Sequence, residues 1–371
     1  MQAPELATLN SQLLWLALCI GIGFGAIAQR THFCTMGAVS DLVNMGDWTR
    51  MRQWALAAGF AMAGFGILVY TGRVDPAQVL YASNRWIWLS AIVGGGLFGF
   101  GMVLASGCGS KTLVRIGGGS LKSLVVFLVL GVSAFATLKG ITAVLRVATV
   151  DRVVLDISAG TSLSQWAAAV WGLPPVSTSL FLGLALGGSL MLWAMASRSF
   201  ITPGNLLAGV GMGGLVIGMW WVSGHLGHLT EHPETLQETF LATNSGRAEA
   251  LSFVAPVAYL LDWLLFFSDK SKVLTMGITS TLGVVLGSWC MALASGSFRW
   301  EGFAGTEDLA NHLVGAVLMG VGGVTAMGCT VGQGLSGLST LSANSVLAVA
   351  GILAGAVAAL RYQVWRVDRL A

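Results

Sequence analysis

Ten apolar stretches run through this chain, each near the roughly 20 residues that a helix needs to cross a bilayer core. They are Leu13–Ala28, Trp54–Thr71, Trp86–Ser106, Leu121–Val144, Val176–Met195, Leu206–Ser223, Leu251–Phe267, Val273–Ala294, His312–Met327 and Val346–Leu360. Only 9% of the 371 residues are charged and 55% are hydrophobic, whereas a soluble domain carries about 25% charged residues. In water such a chain would expose far more apolar surface than a monomer tolerates. The expected fold class is therefore an all-α polytopic membrane protein with nine or ten membrane helices, some of them entering and turning back. The 51 glycines suit close helix approach in lipid, and the 14 tryptophans suit interfacial belts.

Several classes drop out. A net charge of +3 gives no reason to expect nucleic acid. The N-terminus lacks a basic region before Leu13–Ala28, and Gln29-Arg30 follows where a cleavage site would need small residues, so a retained span is expected. Five cysteines, an odd number, make no disulfide framework. No C-x-x-C or Cys/His zinc spacing occurs, and neither a metal nor a cofactor is expected. His225, His228 and His232 would share one face of a helix, but an acidic exposed loop is the commoner setting for solvated histidines.

Two stretches read as one written twice. Gly99–Cys108 (GFGMVLASGC) and Gly320–Cys329 (GVGGVTAMGC) both fit G-x-G-x-x-x-A-x-G-C. Each leads into a polar run, SKTLVRIGGG or VGQGLSGLST, and then a long apolar segment. Such weak internal symmetry is expected of a transporter built from two halves. A single transport domain over 1–371 is expected, with a first half at 12–145, a link at 146–203 and a second half at 204–371. Each Gly-Cys step is expected to break a helix and open a half-helix whose free N–H groups point at the break. Half-helix N-termini with small hydroxyl residues form anion sites. Gly107, Gly109 and Ser110 serve this role in the first copy, and Gly328, Thr330 and Gln333 in the second. Arg30, Lys111, Arg115 and Arg299 are candidate cations. Cys19 and Cys290 sit mid-helix and are expected to be small buried hydrophobes.

Short-loop Lys and Arg favour the cytoplasm. That rule puts Arg198, Lys270, Lys272 and the C-terminal arginines inside. The acidic loops Gly224–Glu249 and Ser297–Asn311 then fall outside, provided that His312–Gly337 dips in and returns.

At these residues the sequence resembles the YeeE/YedE family of membrane proteins and, within it, the TsuA-like thiosulfate transporters. The match is carried by MGCTVGQGLSGLSTLS (Met327–Ser342), AQRTHFCTMGAVSDL (Ala28–Leu42) and GMVLASGCGSKTLVRIGGGS (Gly101–Ser120). The resemblance covers the chain from the first span to the last. It implies an hourglass-like bundle of two inverted halves in the bacterial inner membrane, taking up thiosulfate. It also implies three cysteines contacting the anion in turn, here Cys34, Cys108 and Cys329, and a cytoplasmic TusA-like sulfur-carrier protein as partner. The family's second motif continues differently after the cysteine, so Lys111 does not transfer. Neutral thiols suit this dianion: they are weak donors and polarizable partners for its terminal sulfur. Another sulfur or selenium species would leave the motifs unchanged. A membrane thiol sulfurtransferase is the alternative of a different class, since His32 lies two residues from Cys34.

Overall fold

The computed structural model describes residues 3–233 and 236–370. The protein is an all-α polytopic membrane protein. The helices are α1 (Ala3–Thr31), α2 (Thr35–Met45), α3 (Thr49–Tyr70), α4 (Trp88–Leu104), α5 (Gly109–Gly117), α6 (Leu121–Lys139), α7 (Ile141–Ala148), α8 (Leu163–Trp171) and α9 (Pro175–Met195). They continue with α10 (Pro203–Leu226), α11 (Ala255–Leu265), α12 (Met276–Ala294) and α13 (Thr306–Thr325). After these come α14 over 330–339 and α15 (Ala343–Leu370). Strand β1 (Arg85–Trp86) pairs antiparallel with β2 (Leu155–Asp156), and β3 (His228–Leu229) with β4 (Thr239–Phe240).

Among the described residues, eight helical stretches are long and apolar enough to cross a membrane. Helix α13 is just as long at 20 residues, but it opens on the polar TEDLANH, which lowers its average hydropathy. Two short helices, α2 and α11 with 11 residues each, are half the length that a crossing needs.

Glycines set the packing. Lipid tails are as apolar as leucine, so helices in a bilayer associate through close backbone approach. A Cβ at Gly21 or Gly25 of α1 would strike the Ser280 or Val284 carbonyl of α12, and one at Gly283 or Gly287 would strike Leu18 or Ile22 of α1. Helices α1 and α12 therefore run parallel in direct backbone contact. The same logic makes α4 parallel to α15, with Gly95 on Ala348 and Gly99 on Ile352. It makes α4 antiparallel to α13, where Gly94 meets Gly322 and Ala326 while Gly101 meets Gly315 and Met319.

These pairings correct the expected sidedness. Ser297–Asn311 lies at the same end of the bundle as the C-terminal tail: Arg366 reaches Glu307 at 2.8 Å and Asn311 at 3.4 Å. Lys272 lies at the other end, in a cavity shared with Thr243 and Asn244 of the Gly224–Glu249 loop. Asn244 Nδ2 also donates to Thr275 Oγ1 at 2.8 Å. The physical reason is that α11 turns back and α13 crosses, the reverse of the dip expected at His312–Gly337. Of the loop's glutamates, Glu234 lies outside the described residues. Asp262, at the end of α11, is buried but satisfied, 2.7 Å from Lys272 Nζ and 3.7 Å from Lys139 Nζ. His312 is likewise buried and bonds Asp308 at 2.9 Å.

The histidines do not share a face. His225 ends α10 and meets Arg73 at 2.7 Å. His228 begins β3, stacks on Phe240 and bonds Glu238 at 2.6 Å. The Gln78 amide and His228 hold the Glu238 carboxyl below the usual carboxylate range.

Candidate functional site

Three helix breaks share one local geometry. Two residues before each cysteine the backbone turns left-handed: His32 at φ 53, Ser106 at φ 55 and Met327 at φ 58. A non-glycine residue in that region costs about 1 kcal/mol or more and persists only where the surroundings fix it. The turn stops α1, α4 and α13, and each cysteine then heads a new helix. Cys34 is the extended N-cap of α2, and its Sγ accepts the Gly37 N–H at 3.4 Å. Cys329 Sγ accepts the Gly332 N–H at 3.4 Å. Cys108 is the extended N-cap of α5, and its Sγ pairs with the hydroxyl of Ser110 in the first turn at 3.2 Å. All three thiols are buried.

The breaks converge. The Cys34 and Cys108 side chains neighbour each other, and Thr330 Oγ1 faces the Cys108 thiol without reaching hydrogen-bond geometry. A Cβ at Gly109 would lie 3.6 Å from the Phe253 carbonyl and 3.8 Å from Val254, at the start of α11. The Phe253 backbone in turn approaches Cys329. Among the described residues, four helix N-termini thus meet: those of α2, α5, α11 and α14. Each leaves its first N–H groups unpaired within the helix and carries roughly half a positive charge. In sequence order α11 follows α10 as α2 follows α1, and its N-cap is Val254 where that of α2 is Cys34. Arg299, a candidate cation, lies away from this centre: its N–H bonds the Gly118 carbonyl at 3.2 Å, at the far end of α5.

Some of the other candidates adjoin this centre and others do not. A Cβ at Gly107 would press on Lys111 Cγ at 3.2 Å, and one at Gly328 on Gln333 Cγ at 3.2 Å, so both positions are confined by their own half-helix. Gln333 Nε2 bonds the Ala326 carbonyl, tying α14 back to the end of α13, while its Oε1 is buried without a partner. Arg115 Nη1 donates to the Ser106 carbonyl at 2.8 Å and so braces the second break. Lys111 is half-buried beside His32, Cys34 and Cys108, with no carboxylate within ion-pair distance among the described residues. Arg30 is exposed. Cys19 and Cys290 are exposed as well, a correction to their expected burial: both face outward from the α1–α12 pair.

Thr35 was missed. Its hydroxyl is buried without a partner, as is that of Thr330, and the two line one cavity of about 260 Å³ with Trp54. The signal was present, because Cys34-Thr35 and Cys329-Thr330 are the same dipeptide.

Paired half-helices with small residues at facing breaks are how transporters build binding sites near the bilayer midplane. The chain matches the model of the sulphur transport family over residues 30–358. It belongs to that family. Two curated members are similar over nearly their whole length. The thiosulfate transporter TsuA of Spirochaeta thermophila is 26% identical over 350 residues, 91% of this chain and 94% of that protein. The thiosulfate transporter TsuA of Escherichia coli K12 is 25% identical over 335 residues, 86% of this chain and 85% of that protein. The probable transporter YedE of Escherichia coli K12 is 34% identical over 110 residues, 30% of this chain. Membership of the sulphur transport family agrees with the transporter-like breaks, and the relatives are named as transporters rather than enzymes.

Proposed function

We propose that this protein takes up thiosulfate across the bacterial inner membrane, along a central path on which Cys329, Cys108 and Cys34 contact the anion in turn. The observation that carries the reading is the convergence of four half-helix N-termini on these thiols. At roughly half a charge each, they offer on the order of two positive charges, which suits a dianion. Thiols and the unpartnered hydroxyls of Thr35 and Thr330 supply weak contacts, and weak multi-site contact favours passage over trapping.

The halves 12–145 and 204–371, joined by 146–203, are inverted copies in an hourglass arrangement. The antiparallel course of α4 and α13, and the shared break geometry, support this. The bundle end with the C-terminal arginines, Arg50, Arg52, Arg115 and Lys122 is the cytoplasmic one, because basic residues outnumber acidic ones there. Uptake then begins at Cys329 and ends at Cys34, where a TusA-like sulfur-carrier protein would receive the anion.

Growth on thiosulfate as sole sulfur source, in a strain lacking other thiosulfate uptake, tests the reading. The protein restores growth and Cys329→Ala abolishes it. Growth restored on a selenium or other sulfur species but not on thiosulfate would replace the substrate.

A further inference from the structure

On the Cys329 side a cavity of about 320 Å³ reaches the third break, with Met327 and Gly328 in its wall. Three charged side chains line it: Arg146, Asp151 and Glu249. The first two cancel, since Arg146 Nε lies 2.9 Å from Asp151, whose other oxygen accepts the Ser90 hydroxyl at 2.6 Å. That leaves Glu249 as the one uncompensated charge in the wall, and its sign is wrong for an anion path.

Glu249 is held rigidly. The neighbouring Ala248 exchanges backbone bonds with Gln78 and Leu80 at 3.0 and 2.9 Å. Glu249 N–H donates to Ser223 Oγ at 3.2 Å, and its Oε1 accepts the Ser245 N–H at 2.8 Å. The side chain is half-buried and cannot swing away without breaking the Ser245 bond. The groups facing it do not neutralise it. Tyr259 of α11 and Tyr81 of the segment before α4 are the nearest titratable neighbours. Its own loop offers Arg247, whose guanidinium is turned away to the Ala82 carbonyl at 2.6 Å. The faces contributed by α12 and by the break, Gly277 and Thr325–Gly328, carry no charge.

Resting on the thiosulfate reading above, we propose that Glu249 selects by charge at the Cys329-side mouth: a dianion is admitted when Glu249 carries a proton taken from the solution on that side, and is turned back when Glu249 is ionised. Burial raises the Glu249 carboxyl above the usual carboxylate range, which moves its titration toward physiological pH.

The test measures initial uptake of radiolabelled thiosulfate by whole cells expressing the full chain, between about pH 5.5 and about pH 8 outside, an interval above the ordinary carboxylate range. Thiosulfate stays a dianion throughout, so a slope does not come from titration of the anion, and Glu249→Gln tells a slope set at Glu249 from one set by the proton gradient. Wild type speeds up several-fold toward acid. Glu249→Gln keeps the Ser245 bond, loses the slope and is at least as fast as wild type at the alkaline end. Glu249→Asp, present at wild-type level in the membrane, keeps a slope. A wild-type slope retained in Glu249→Gln, or lost in Glu249→Asp, overturns the proposal. Wild-type cells that take up no thiosulfate at any pH would instead overturn the substrate reading itself.

Discussion

The glycine contact between α4 and α13 carries a prediction with a magnitude. A Cβ on Gly315 would stand 2.6 Å from the Gly101 carbonyl oxygen and 2.7 Å from the Ala105 amide. These are backbone atoms and cannot rotate aside. Ordinary contact begins near 3.4 Å, so Gly315→Ala must part the helices by about 0.8 Å. Overpacking of this kind costs about 1–3 kcal/mol, against a gain of about 1 kcal/mol in helix propensity. The shift also has a functional reach, because α4 leads into the break at Ser106–Cys108 and α13 into the break at Met327–Cys329. The expected result is an unfolding midpoint lowered by a few degrees in detergent and a several-fold loss of thiosulfate uptake. Gly96→Ala is the control, because a Cβ there meets nothing within 4 Å; it leaves both unchanged or raises the midpoint. A Gly315→Ala protein as stable and as active as wild type would refute the close-packing argument.

Two further predictions follow from other parts of the bundle. Cys19 and Cys290 are exposed on outward helix faces, so the double change to alanine leaves uptake within twofold of wild type in vesicles. Lys122 Nζ lies 2.7 Å from Glu301 and holds that carboxyl below the usual carboxylate range. A depressed folded-state pKa stabilises the fold above the ordinary carboxylate range, and the contribution disappears as pH falls through the lowered value. Glu301 is exposed, so the unfolding free energies of wild type and Glu301→Gln differ by less than about 1 kcal/mol at neutral pH and converge in acid or high salt.

Much of the architecture was legible because membrane helices must be long and apolar. The ten apolar stretches correspond to the long helices and to α11, and both copies of the glycine-cysteine motif end at helix breaks. The left-handed turn before each cysteine was not legible, since His32, Ser106 and Met327 share no side-chain property; only the fold around them demands that conformation. The fourth half-helix was hidden for a related reason. Its N-cap is Val254, within the ordinary apolar run Leu251–Phe267, and no cysteine marks it. Sidedness failed because the turn-back was placed at His312–Gly337, whose glycine-rich break marks it in the sequence, and not at α11, which nothing marks. Once α11 turned back and α13 crossed, Ser297–Asn311 and Lys270–Lys272 exchanged sides. Glu249 was visible only as one glutamate of an acidic loop, because its meaning comes from the Arg146–Asp151 pair that leaves it uncompensated across a cavity.

The account rests on the thiols as contacts for the anion, and Cys108 is the one that neighbours both Cys34 and the α14 N-terminus. The most direct measurement is radiolabelled thiosulfate uptake into proteoliposomes containing purified wild-type or Cys108→Ala protein, matched for amount and for unfolding midpoint. The account predicts accumulation in wild type and, in the variant, a rate near that of empty liposomes. Wild-type uptake by a properly folded Cys108→Ala protein would contradict it.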